Sequence, residues 1–172
     1  MIHLTHSDYR VMPWANGRGV TTELWRQDRD GALLCRLSMA AVTEDGPFSL
    51  FPGIERNLTV ISGPGFGLEG AGICLAATPL VPVAFAGDVA VRATGVTAPS
   101  DDFNVMTART LPRPEVTVCQ ARQEVAEGGL IAVFALAPAQ VNGKSLATHD
   151  LLLTRQQVSL NGMAVVVRLH GL

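Results

Sequence analysis

Charge is scarce in this chain. Only 16% of its 172 residues are Asp, Glu, Lys or Arg, and the formal net charge is -2. No basic face is available to follow a phosphate backbone, so nucleic acid is excluded as a partner. No like-charge run marks a tail, and no basic amphipathic helix marks a membrane surface. Histidine is scarce as well: His3, His6, His149 and His170 are the four, and none falls in an H-x-H or H-E-x-x-H pattern. The expected inventory of metals and cofactors is therefore none. The three cysteines, Cys35, Cys74 and Cys119, are odd in number and lack CxxC spacing. Apolar neighbours such as "LLCRL" and "GICLAA" mark all three as buried small hydrophobes of a reduced, cytoplasmic protein rather than a disulfide framework. No apolar run approaches the roughly 20 residues of a bilayer span. The opening "MIHLTHSDYR" has no apolar h-region, so no signal peptide is expected. No serine sits in a G-x-S-x-G elbow.

What is present is aliphatic and punctuated. Residues of apolar type make up 48% of the chain, and 17 Gly and 10 Pro break them into short runs. "NLTVIS", "VPVAF", "VAVRAT", "VTVCQA", "LIAVFAL" and "LLLT" have the length and β-branched content of strands. "LLCRLSMAAV" alternates in part, with Leu33, Cys35, Leu37 and Met39 on one face and Leu34, Arg36, Ser38 and Ala40 on the other. Asn142-Gly143 and Asn161-Gly162 each read as a type I′ hairpin, whose central residues need positive φ. Helical periodicity is confined to a turn or two at "SDYRVM" and in part of 101–108. The pattern predicts an all-β antiparallel sandwich or barrel. The loop-rich stretch "TGVTAPSDDFN" divides it into halves 1–95 and 96–172 of one compact, rigid domain.

"GFGLEG" is literally G-x-G-x-x-G after a strand, but the prolines and missing helical stripe downstream exclude a dinucleotide site. A glycine-rich turn explains it. Polar residues inside apolar strands are more informative. Arg36 and Ser38 project from one side of their strand, and Arg56 has the parity of the core positions Leu58 and Val60. An arginine on an apolar wall needs an anion, because an unpaired buried charge is costly. An internal carboxylate (Glu23, Asp45 or Asp102) and a carboxylate-bearing ligand are both admissible partners, and pattern alone favours the internal one. "EDGPFSLFPGIER" is a preset loop with two tight turns and Phe48 and Phe51 around Ser49. In "DDFNVM", Asp102 and Asn104 read as caps or turns, with Phe103 as an anchor. Both stretches suit closure of a barrel or the rim of a ligand site.

"MPWANGRGVTTEL", "CRLSMAAVTEDGPFSLFPGIERNLTVISGPGFGL", "FAGD" and "DDFNVM" follow one another at intervals that resemble the HutD/Ves family of small bacterial proteins. The matching motifs run from about residue 9 to 109. The resemblance implies a cupin-like fold with two barrel halves in one chain, a bicupin. It also implies binding of a histidine-utilisation intermediate, N-formylglutamate, in a regulatory role, while Ves-like members are linked to cold or stress response. By this resemblance Arg56 is a ligand contact, which reverses the preference for an internal pair. Trp14, Asn16 and Gly17 match MPW-x-NG, and Arg36 and Ser38 match WR-x-S. Two positions depart from the family pattern. Cys35 replaces an aromatic, which is expected to enlarge the neighbouring pocket, and Arg18 replaces the middle glycine of NGGG.

The leading expectation is a non-enzymatic binder of a small carboxylate-bearing metabolite. Its site would comprise Arg56, Trp14, Asn16, Arg36, Ser38, Glu23, Phe48, Asp102 and Asn104. A metal-free isomerase or epimerase is the alternative, and it needs a desolvated general base from among Glu23, Asp102 and His149. A third reading, a partner-binding module, predicts Phe48 and Phe51 exposed as an apolar patch. Edge strands leave a homodimer open.

Overall fold

A computed structural model describes residues 1–14 and 19–172; Asn16, Gly17 and Arg18 of the opening motif lie outside the described residues. Among the described residues, apart from one 3₁₀ turn at His6–Asp8, the regular structure is all strand. In chain order the strands are β1 (Ile2–Leu4), β2 (Arg10–Pro13), β3 (Val20–Arg29), β4 (Ala32–Val42), β5 (Gly46–Pro47), β6 (Ile54–Ser62), β7 (Phe66–Gly70), β8 (Ile73–Ala77), β9 (Val83–Ala86), β10 (Val91–Thr94) and β11 (Ser100–Ala108). They continue as β12 (Glu115–Cys119), β13 (Arg122–Val125), β14 (Leu130–Ala135), β15 (Ala139–Val141), β16 (Lys144–Leu146), β17 (Leu151–Thr154), β18 (Val158–Asn161) and β19 (Ala164–Leu169).

Two compact units result: Arg10–Thr110, and Met1–Tyr9 with Leu111–Leu172. The division thus falls after residue 110 rather than near 95. The reason is β11, which sits inside a sheet of the larger unit between β4 and β6 instead of forming a loop. "DDFN" is poor strand material by propensity, but pairing on both edges overrides that weak preference. The part of 101–108 read as a helical turn is accordingly strand, with Asp102 opposite Ala40 and Val60.

The larger unit faces a six-stranded sheet, β2-β3-β4-β11-β6-β9, with a four-stranded one, β5-β10-β7-β8. Leu58, Val60 and Phe85 from the first pack against Phe66, Leu68, Val91 and Ala93 from the second. The smaller unit pairs β1-β17-β14-β19-β12 with β13-β18-β15-β16, around Ile131, Val133, Leu152 and Val166 meeting Val141, Leu146, Val158 and Leu160. Among the described residues no sheet closes on itself, so each unit is a two-sheet sandwich.

Asn142 and Gly143 have φ of 50° and 78°, as a type I′ turn requires, and they join the paired strands β15 and β16. Asn161-Gly162 does not make the expected hairpin. β18 pairs with β13 and β15, whereas β19 runs in the other sheet, so the dipeptide is a crossing between layers. The N-terminal segment is tied into the smaller unit. Ile2–Leu4 pairs with β17, and His3 Nε2 lies 2.8 Å from Asp150 Oδ2. "GFGLEG" is the strand β7, as the glycine-rich reading requires.

Candidate functional site

The site is built on one face of the six-stranded sheet. β4, β11 and β6 pair without a break across the positions concerned, so side chains two apart share a face. That face carries three rows: Arg36, Met106 and Arg56; Ser38, Asn104 and Leu58; Ala40, Asp102 and Val60. Small Ala40 and Ser38 leave room over the sheet. With Trp14, Thr21, Val42, Phe48, Ser49 and Phe51, the polar members of these rows line a cavity of about 90 Å³. Six of its residues also line a wider cleft of about 430 Å³ whose further walls are Met12, Pro13 and Pro47.

The loop between β5 and β6 forms the facing wall. Backbone bonds hold it to the β9–β10 connection: Phe48 N donates to Val91 O at 2.9 Å and Phe51 N to Gly87 O at 2.8 Å. So anchored, the loop aims Phe48 and Phe51 at Arg56. The guanidinium carbon is 5.2 Å from the Phe48 ring centroid, 5.5 Å from that of Phe51 and 5.1 Å from that of Phe85, within cation–π range of three rings. The exposed aromatic patch required by the partner-binding reading is therefore absent at Phe48 and Phe51. Both rings are half-buried and face inward.

Arg56 does not make a direct ion pair among the described residues. Its Nη2 donates to Asn104 Oδ1 at 2.9 Å, and Asn104 Nδ2 donates in turn to Asp102 Oδ1. The amide thus spaces the cation from the carboxylate. Among the described residues, Arg56 Nε and Asp102 Oδ2 are buried without hydrogen-bond partners. Burial pulls Arg56 down to about 10, with Asp102 working against the shift and Arg36 adding to it. Burial pushes Asp102 up to about 7, opposed by Arg56 and by the Asn104 hydrogen bond. Arg36 lies 2.9 Å through Nε from Glu23 Oε2, an ion pair whose N–H is not aligned on the oxygen. Burial lowers Arg36 too, and Glu23 offsets part of that.

Trp14 closes one side. Its Nε1 donates to Thr21 Oγ1 at 2.8 Å, and its backbone N donates to Gly19 O at 2.9 Å. A Cβ at Gly19 would stand 2.7 Å from the indole, so glycine there lets the ring lie flat against the chain.

Of the expected site residues, Trp14, Arg36, Ser38, Phe48, Arg56, Asp102 and Asn104 line the inner cavity, and Glu23 reaches it as the partner of Arg36. Asn16 falls outside the described residues. Asp45 is no partner of Arg56; it accepts from the backbone N of Gly95 and Val96. His149 is elsewhere, in the smaller unit, stacked on Phe134 at 5.5 Å. Ser49 and Phe51 belong to the loop read as closure or ligand rim, whereas Thr21, Val42 and Met106 went unanticipated. Met106 follows from the alternation of "DFNVM" once that stretch is strand. Thr21 shares the face of Glu23, two residues on, and alternation from Glu23 was an available signal for it; the bulge of β3 begins only after Glu23.

The HutD family model matches residues 6–167. This chain belongs to the HutD family. Protein Ves of Citrobacter koseri is 35% identical over 160 residues, which is 86% of this chain and 80% of Ves. A 21.2 kDa protein of Pseudomonas putida, described by its place in the hutC 3′ region, is 37% identical over 110 residues, 61% of this chain and 57% of its own length. The structure of HutD from Pseudomonas fluorescens superposes with a TM-score of 0.90 at 31% identity, covering 98% of this chain and 97% of that one. A cupin 2 conserved barrel domain protein from Leptotrichia buccalis shares the fold alone, with a TM-score of 0.58 at 7% identity over 88% and 89% of the two chains. The architecture is thus cupin-like. Within the HutD fold, Cys35 does not enlarge the pocket. It has the opposite parity to Arg36 and Ser38, so it points away from the cavity and is fully buried. Cys74 also departs from expectation: it is exposed, while Cys35 and Cys119 are buried.

Proposed function

We propose that this HutD-family protein binds a small carboxylate-bearing metabolite without transforming it, with N-formylglutamate as the ligand and control of histidine utilisation as the role. The observation that carries the reading is Arg56. A buried guanidinium, caged by three rings and lacking a directly paired carboxylate, keeps an Nε–H available in a cavity. A planar cation so placed suits a carboxylate, which accepts two parallel N–H bonds. Ser38, Ser49 and Thr21 supply neutral donors around it, and Trp14 an apolar wall. A ligand that leaves those groups unpaired is rejected, since each buried orphan costs about 1–3 kcal/mol. The hutC-adjacent description of the Pseudomonas putida relative supports the histidine-utilisation setting. Calorimetry with N-formylglutamate and other acyl amino acids tests the reading. It falls if none binds at millimolar concentration, or if Arg56→Ala binds as well as wild type.

A second reading, a metal-free proton-transfer enzyme, draws on Asp102. A desolvated carboxylate whose affinity for protons is raised, lying two hydrogen bonds from an arginine, is what such chemistry uses. Incubation of N-formylglutamate with the protein in deuterated water separates the two: deuterium appearing at the α-carbon selects the enzyme, and none selects the binder.

A further inference from the structure

We propose that a carboxylate entering beside Arg56 brings a proton with it, taken up on Asp102 Oδ2. The inference rests on the carboxylate-binding reading and concerns how that site balances charge. Among the described residues, the ionisable groups of the inner cavity are Arg36 from β4, Arg56 from β6, Glu23 from β3 and Asp102 from β11. Two positive and two negative charges cancel when all are ionised. Asp101, next to Asp102 on β11, and Glu44 and Asp45, which line a neighbouring pocket, are exposed, so solvent screens them.

A ligand carboxylate adds one negative charge to this neutral, desolvated set. Leaving that charge uncompensated is expensive in a buried site. The set can regain neutrality by taking a proton, and the geometry says where. Glu23 is engaged by Arg36 at 2.9 Å. Asp102 is fully buried, its Oδ1 is occupied by Asn104 Nδ2, and its Oδ2 has no partner among the described residues. The same ligand also engages the charge of Arg56, which otherwise favours ionised Asp102. Burial already places Asp102 where a modest push moves it across neutrality. Once protonated, Oδ2–H changes from an unpartnered acceptor to a donor, which an oxygen of the ligand can accept. One O–H bond forms at Oδ2 as a solvent or buffer acid gives up its proton; no other covalent bond changes.

Calorimetry with N-formylglutamate in buffers of different ionisation enthalpy counts the protons exchanged. We expect uptake that rises from near zero at pH 6 towards one proton at pH 8, with affinity falling by up to about tenfold per pH unit above neutrality. Asp102→Asn, which keeps the shape and offers an N–H in place of O–H, abolishes the uptake and flattens that profile. The wild-type measurement decides without the variant. Affinity unchanged between pH 6 and 8.5 with no uptake overturns the inference and leaves the binder standing, and so does net proton release. Failure to bind at every pH overturns both.

Discussion

Asn104 stands between Arg56 and Asp102 as the only hydrogen-bonded link that the described residues provide: it accepts from Arg56 Nη2 at 2.9 Å and donates to Asp102. Its two bonds also fix the direction of the amide, oxygen towards the cation and nitrogen towards the carboxylate. Replacing Asn104 by Ala leaves a buried N–H and a buried carboxylate oxygen without partners. The expected cost is roughly 2–4 kcal/mol in unfolding free energy, from the usual penalty for two orphaned groups. Urea denaturation measures it, and a loss below 0.5 kcal/mol (roughly the spread of a neutral surface change) would show that the network contributes nothing to stability.

Arg56 separates binding from stability. Arg56→Met keeps an unbranched stem among Phe48, Phe51 and Phe85 and removes a charge that burial disfavours. Asp102 answers by staying protonated. The fold should therefore survive with a melting temperature within a few degrees of wild type, while affinity for N-formylglutamate falls about 10- to 100-fold, as expected when a charged hydrogen-bond pair is lost. Binding retained by a folded Arg56→Met protein would remove Arg56 from the site.

Gly19 is a handle on the indole wall. An Ala at this position puts its Cβ 2.7 Å from the Trp14 indole, whose ring carbons are its three nearest neighbours, so the ring, not the backbone, has to move. Gly19→Ala is expected to turn Trp14 out of its bond with Thr21 and to weaken ligand binding with little change in stability. In a Trp25→Phe background, a red-shifted emission reports the movement. Unshifted emission with unaltered affinity would mean that the ring yields without leaving the cavity.

The three thiols should react in two classes. Cys74 is exposed, whereas Cys35 and Cys119 are buried, and burial alone pushes the Cys35 thiol up to about 12. A thiol-disulfide reagent at pH 8 should label Cys74 promptly and Cys35 only on unfolding. Prompt labelling of Cys35 in the folded protein would contradict its fully buried place.

Much of the site was legible because polar residues inside strands are few and parity is simple. Arg36, Ser38 and Arg56 declared themselves by sharing faces with apolar neighbours, and the register of β4, β11 and β6, unbroken from Asp102 onward, preserved that parity. Asp102 and Asn104 were visible as residues but not as strand positions, since Asp and Asn favour turns and only tertiary pairing overrules them. Identical dipeptides also diverged. Asn142 takes φ of 50° and turns a hairpin, while the segment after Asn161 leaves for another sheet, a choice made by packing of β19 beyond the turn. Asp30-Gly31, with φ of 52° and 76°, turns β3 into β4 and was an available signal of the same kind.

Asp102 also gives stability a pH dependence whose sign is fixed. Its folded value, about 7, lies above its ordinary value of 3.8 because burial disfavours the anion. Between those two values the folded chain binds more protons than the unfolded chain, so stability falls as pH rises through this window and levels off above about 7. Arg56 from β6 opposes the shift and Asp101 on β11 adds to it, both already contained in that value. Thermal unfolding without ligand should therefore give a higher melting temperature at pH 5.5 than at pH 8. The Asp102→Asn variant isolates the carboxylate: the difference between wild type and variant should grow from pH 5.5 to pH 8, with the variant relatively more stable at the higher pH. A wild-type-minus-variant difference that stays constant across the range would mean that Asp102 keeps an ordinary carboxylate's proton affinity in the folded protein, and the charge-balance account of the cavity would fall with it.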